Sequence, residues 1–165
     1  MTDTTRLALH WIVDIFEEEN IPYQIVGGTA AHFYGASRPI NDIDIDVGEK
    51  HFARLLERVK GYVTFGPEVL IDSEWIVLVL GVTYHGQLIE LSNADAQKLY
   101  DDETSEWKDF SYTLQDVVQI PWEGKQLRLL DPQLMIDYKR YLHGQKQKDD
   151  IETIREFIAE TKKAA

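Results

Sequence analysis

The sequence predicts an α/β protein, a sheet flanked by helices and closed by a C-terminal helical pair. Three observations predict it. The first sixty residues alternate amphipathic helical patterns with short apolar strands. The middle of the chain, up to Leu130, is dominated by strand-length apolar runs. Asp131-Pro132 then opens a helix, with Asp as cap and Pro at the first helical position, and a second helical pattern follows. That order is one of stacked layers rather than tandem units. Residues 1–165 are therefore expected to form a single domain, with a core over about 5–130 and a helical cap over about 131–163.

Residues 5 to 19 place Ala8, Ile12, Ile15 and Phe16 on one stripe and Glu17, Glu18 and Glu19 toward water, the pattern of an amphipathic helix. Asn20 and Pro22 end it. Residues 23 to 27 read as a short buried strand, Gly27-Gly28 as a turn, and Thr29 to Tyr34 as a short helix stopped by Gly35. A polar loop with Arg38-Pro39 leads to a second strand, Asp42 to Val47. Phe52, Leu55, Leu56 and Val59 mark a helix over 49–60, closed by Gly61.

A strand is expected around Val69 to Ile71. Ile76 to Val82 is a continuous apolar run of strand length and reads as a buried central strand. His85-Gly86 turns it into Gln87 to Leu91. Residues 93 to 102 are open to a helix. Phe110 to Ile120 and Lys125 to Leu130 read as strands joined by a Glu123-Gly124 turn of the two-residue hairpin type. The helix begun at Asp131 is expected to reach about Leu142 and stop at Gly144. A last one, over 149–162, turns Ile151, Ile154, Phe157 and Ile158 inward.

Composition bounds the function. A length of 165 residues, a hydrophobic fraction of 44% and four Trp suit a globular core. No stretch approaches the roughly 20 apolar residues of a membrane helix, and the N-terminus does not read as a signal peptide. A cytoplasmic protein without membrane partners is the expectation. The absence of Cys rules out disulfides and thiolate zinc sites. A net charge of −12 disfavours nucleic acid and favours a cation, a metal ion or a basic partner, or serves only to keep the chain in solution.

The chemistry lies in residues 26 to 47. On a strand, Asp42, Asp44 and Asp46 share one face while Ile43, Ile45 and Val47 share the other. Packing gains nothing from a row of like charges, whereas a hard divalent cation takes carboxylate oxygens. Two such ions about 3.5–4 Å apart can clamp the attacking and leaving oxygens of an in-line phosphoryl displacement, and magnesium suits that role. A third acid from a neighbouring strand is wanted, as ligand or as proton acceptor. Glu90, in Leu-Ile-Glu-Leu, is the candidate, since an acid between apolar residues on an inner strand needs a partner. The plain alternative for it is a solvent-facing strand residue. Gly27-Gly28, between strand and helix, would let backbone N–H groups approach phosphate, with Thr29 adding a hydroxyl.

Gly27-Gly28 followed by Asp42-Ile43-Asp44-Ile45 resembles the signature of the DNA polymerase β-like nucleotidyltransferase superfamily. Tyr34-Gly35-Ala36-Ser37-Arg38 is similar to small standalone bacterial members. Lys139 and Lys148-Asp149-Asp150 resemble elements of such members, including abortive-infection-type toxins and antibiotic nucleotidyltransferases. The resemblance implies a mixed twisted sheet with flanking helices. It implies transfer of an NMP from an NTP, ATP being favoured, to an acceptor hydroxyl, with release of pyrophosphate. Residue by residue, it implies magnesium, in a two-metal site, on Asp42, Asp44 and Glu90, with Glu90 as ligand or general base. Gly27, Gly28, Thr29, Arg38 and Lys139 would hold the nucleotide. Glu90 stands where many relatives have Asp. Asp46 extends the acidic row past the usual pair, either at the metal edge or toward solvent, and solvent is the expectation.

Arg38 can instead pair with a strand acid. His32 reads as a structural histidine. Lys139, Arg140, Lys146 and Lys148 could form a small basic patch near the nucleotide; the plain alternative is that the first two complement a helix dipole and the others lie in a solvated loop. Trp75, Trp107 and Trp122 read as core or rim packing. The acceptor could be a cationic small molecule, a protein or a tRNA end. The competing function is a non-catalytic nucleotide- or partner-binding module that keeps the fold, and it predicts no convergence of Glu90 with Asp42 and Asp44. A calcium loop built on the three aspartates is argued against by Ile43, Ile45 and the missing loop glycine and terminal Glu.

Overall fold

The computed structural model describes residues 1–164. In chain order its elements are α1 (Asp3–Glu19), β1 (Tyr23–Ile25), α2 (Gly27–Phe33), β2 (Asp42–Val47), a 3₁₀ turn and α3 (Phe52–Val59), and a second 3₁₀ turn. Seven strands follow: β3 (Val63–Ile71), β4 (Trp75–Tyr84), β5 (Gln87–Asn93), β6 (Lys98–Asp101), β7 (Glu106–Asp109), β8 (Val117–Trp122) and β9 (Lys125–Leu130). Helices α4 (Pro132–Lys139) and α5 (Gln145–Ala164) end the chain. All nine strands join one mixed sheet in the order β7-β6-β4-β5-β2-β1-β9-β8, with β3 also paired to β4. β2 runs parallel to β5 and β1 parallel to β9; the other pairings are antiparallel.

Local chemistry explains the element ends. Thr2 caps α1 by accepting from the Thr5 N–H at 3.1 Å, and Asn20 closes it in the left-handed conformation. Asp131 accepts from the N–H groups of Gln133 (2.8 Å) and Leu134 (3.2 Å), and Pro132 needs no donor there. Glu123 and Gly124 both have positive φ, the requirement of a tight hairpin.

Period two governs the centre of the sheet. Ile43, Ile45 and Val47 are sealed in one core with Leu9, Ile12 and Phe16 of α1. β5 alternates likewise, with Ile89 and Leu91 buried and Glu90 and Ser92 on the opposite face. The polar face of β2 and β5 lies toward α4 and α5, and a cavity of about 290 Å³ opens there.

The structure departs from the sequence reading in three places. Residues 93 to 102 hold no helix; 98–101 form β6, which pairs with Trp75 and Ile76 of β4 and buries Leu99 and Asp101 alternately. The strand expected over Phe110 to Ile120 is broken: β7 ends at Asp109, whose carboxylate takes the Ser111 N–H, Leu114 is left-handed, and pairing resumes at Val117. α4 ends at Lys139 rather than near Leu142, and α5 begins at Gln145, so Lys146 and Lys148 lie on a helix and not in a loop.

Candidate active site

Parallel pairing of β2 with β5 sets Asp44 opposite Glu90. Side chains at paired positions share a face, so Asp42 and Asp44 meet Glu90 above the sheet. One carboxylate oxygen of each can be chosen so that all lie within 4.8 Å of one another. The electrostatics follow. Burial, then the charges of Asp42 and Glu90, push the Asp44 carboxyl up to about 7. Burial and Asp42 raise Glu90 as well. Like charges this close cannot all ionise at low cost without a cation. A set of hard oxygen donors with that charge fits a divalent ion such as magnesium.

Gly27 and Gly28 begin α2 beside these acids. Gly27 has φ +62°, and a Cβ on it would overlap the Asp44 carboxylate. Its glycine is thus required by the acid as much as by the turn. Its N–H donates to the Tyr138 hydroxyl at 2.9 Å. The Gly28 backbone beside Asp44 partly offsets the rise of that carboxyl. Both glycines line the cavity. Thr29 is fully buried and donates its hydroxyl to the Asp42 carbonyl oxygen at 3.2 Å. That bond ties the start of α2 to the start of β2.

The cations expected at the site are present but paired. Arg38 grips Asp150 through Nε and Nη2, each at 2.8 Å. Its acid therefore sits on α5, not on a strand. Lys139, 2% exposed, donates to Asp150 and to Gln147, both at 2.9 Å. Burial lowers the Lys139 ammonium despite Asp150. Arg38 and Lys139 both line the cavity, so they face the acids while being held by the helix behind them.

Asp46 does not point to solvent. It is 2% exposed and accepts from Gln24 Nε2 (3.0 Å) and Gln97 Nε2 (2.8 Å). Burial pushes it up to about 6, with the two amides pulling back part of the way. It lines the cavity beside Tyr112, whose hydroxyl is buried without a hydrogen-bond partner. The far wall is apolar and aromatic: Trp75, Val77 and Val79 of β4, with Leu70 of β3. Trp75 is thus at the cavity rim, while Trp122 stacks on His10 and Trp107 meets Tyr100 edge-on, neither lining it. His32 bonds the Ala36 carbonyl oxygen through Nδ1 (3.2 Å), as a structural histidine should.

Sequence reasoning gave Asp150 no role beyond the Lys148-Asp149-Asp150 element, and it missed Gln147, Tyr138 and Gln97. A signal existed for Asp150 and Gln147. The inward stripe of α5 runs Ile151, Ile154, Phe157 and Ile158, and stepping back one turn lands on Gln147 and Asp150. Polar residues on an apolar stripe need partners.

No protein-family model matches the chain, and no curated protein matches its sequence. Solved structures do match. A candidate nucleotidyltransferase from Thermotoga maritima superposes with a TM-score of 0.72 at 16% identity, over 97% of this chain and 96% of that one. The lincosamide antibiotic adenylyltransferase LnuA, solved with lincomycin bound, gives 0.61 at 14% identity, over 90% and 95%. ANT(2")-Ia, solved in complex with adenylyl-2"-tobramycin, gives 0.58 at 18% identity, over 92% and 88%. With the order of its strands and the helical pair that closes it, this chain has the nucleotidyltransferase fold over nearly its whole length.

Proposed function

We propose that this protein is a magnesium-dependent nucleotidyltransferase acting as one domain. The observation that carries the reading is the convergence of Asp42, Asp44 and Glu90, from two parallel strands, on the floor of a cavity in a nucleotidyltransferase fold. The reaction joins an acceptor hydroxyl oxygen to the α-phosphorus of an NTP and breaks the bond to the β-phosphate. Pyrophosphate leaves, and the hydroxyl proton passes to a carboxylate. Asp42 and Asp44 would hold the cation, with Glu90 completing the set or taking the proton; its raised affinity for a proton suits the second role. When bound, magnesium would supply charge neutralisation at the phosphates. Arg38 and Lys139 would face the triphosphate, and Gly27 and Gly28 would line its pocket.

The acceptor would lie toward Asp46, Tyr112 and the apolar wall of β4. An acidic recess beside an apolar wall suits a hydroxylated small molecule with a cationic group and an apolar face. Two similar folds are described with antibiotics bound, which supports that class over a protein or a tRNA end. The binding-module alternative gives Glu90 no reason to face the aspartates.

Incubation with magnesium, each α-labelled NTP and a panel of amino-bearing hydroxyl compounds should release pyrophosphate and label one acceptor. Asp42→Ala with Asp44→Ala should reduce release to background. Wild-type protein that binds no NTP in magnesium, all three acids being intact, would sink the reading.

A further inference from the structure

We propose that Asp150 is the positioning residue for the phosphate end of the cavity, fixing Arg38 and Lys139 where the outer phosphates of a bound nucleoside triphosphate lie. The inference rests on the nucleotidyltransferase reading. It begins with one carboxylate joining three elements: Arg38 precedes β2, Lys139 ends α4, and Asp150 lies in the second turn of α5. Both its oxygens are used. Oδ1 accepts from Arg38 Nε, and Oδ2 from Arg38 Nη2 and Lys139 Nζ.

The grip has a direction. A guanidinium held along its Nε–Nη2 edge presents its remaining edge elsewhere. Arg38 Nη1 has no hydrogen-bond partner among the described residues, and the guanidinium lies over Gly28, where a Cβ would come within 2.7 Å of Nη2 and 3.0 Å of Nη1. Gly28 therefore makes room for the fork as Gly27 makes room for Asp44. Lys139 commits two N–H donors, to Asp150 and Gln147, and has three.

The charge count points the same way. Two cations share one acid, which leaves a surplus of one positive charge beside the cavity. Asp42, Asp44 and Glu90 line the same cavity, and the charge of Asp44 reaches both Arg38 and Lys139. A polyphosphate with its metal would engage both groups, its metal at the acids and its outer oxygens at the Arg38 fork. Asp150 touches neither; it holds the residues that would.

The test compares two affinities in magnesium: that of the tightest-binding NTP and that of its own monophosphate, measured by titration calorimetry on the full chain. Asp150→Asn should weaken NTP binding about ten- to hundredfold, leave monophosphate binding within about twofold of wild type, and raise KM for NTP more than it lowers kcat. A purely structural lesion weakens both ligands alike. If Asp150→Asn does not fold, Asp150→Glu keeps the charge, moves the carboxylate by one methylene and is read by the same two constants. A folded variant with unchanged NTP affinity, or with equal losses for both ligands, overturns the proposal and leaves the enzyme reading standing. Wild-type protein that binds no magnesium–NTP overturns both.

Discussion

Asp46 lines the cavity, Asp150 lies behind Arg38 and Lys139, which also line it, and the two acids are almost equally sealed from water, 2% and 1% exposed, yet their surroundings drive them in opposite directions. Asp46 has only neutral amides, from Gln24 and Gln97, and burial wins, lifting its carboxyl to about 6. Burial pulls Asp150 upward too, but the hydrogen bonds of Arg38 and the charge of Lys139 overcome it and hold the carboxyl below its usual range. Burial alone therefore says little about a carboxylate. The sign of its partners decides whether it keeps its charge cheaply or at a cost. Asp150 is built to stay charged and to hold cations. Asp46 is an acid whose charge nothing on the protein neutralises, on the side of the cavity proposed for the acceptor.

The largest expected effect breaks the Asp150 side of this contrast. Asp150→Ala leaves Arg38 and Lys139 without their acid and should cost about 3–5 kcal/mol of stability, read from the midpoint of urea unfolding at pH 7. A loss no greater than that of a surface substitution would show the network to be slack.

The next effect has the opposite sign. A carboxyl raised by folding favours the folded state below its unfolded pKa, and that advantage disappears as pH rises through the folded value. For Asp46 the window runs from about 4 up to about 6. Asp46→Asn should therefore make the metal-free protein more stable at pH 8 by about 2 kcal/mol, and should flatten the decline of Tm between pH 4 and pH 6. Asp150 runs the other way. Its contribution is present above the unfolded pKa and is lost as pH falls through its lowered folded value. A steeper decline of Tm in Asp46→Asn between pH 4 and 6 would contradict the assignment.

The smallest effect sharpens the comparison. Gln97→Met removes one of the two donors on Asp46 and should destabilise the protein by about 1 kcal/mol at pH 8, with almost no penalty at pH 4, where the carboxyl is protonated. A penalty independent of pH would mean that Gln97 acts through packing.

The sheet's centre was legible in the sequence because its signals are local. Asp-Ile-Asp-Ile-Asp-Val states its own two faces, and Leu-Ile-Glu-Leu states that Glu90 opposes its neighbours. The glycine pair was legible for the same reason. The partners of Asp46 were not, because Gln24 and Gln97 come from β1 and from the turn before β6 and meet only when the sheet is assembled. Lys139 was read as a free cation because its acid lies eleven residues on, across a helix break that the sequence reading placed too late. β6 was hidden for a related reason: four residues carry too few alternations to outweigh a weak helical pattern, and only pairing with Trp75 and Ile76 reveals them.

The parallel register that sets Asp44 opposite Glu90 carries an evolutionary consequence. A strand has two faces and no intermediate setting, so deleting Leu88 with Gln87 held in place would turn Glu90 into the core and bring Leu91 up opposite Asp44. No acid would be mutated, and Asp42-Ile43-Asp44 would still read as intact. For descendants of this chain, motif retention is thus a poor witness of retained chemistry; the frame of β5 against β2 is the character to trace.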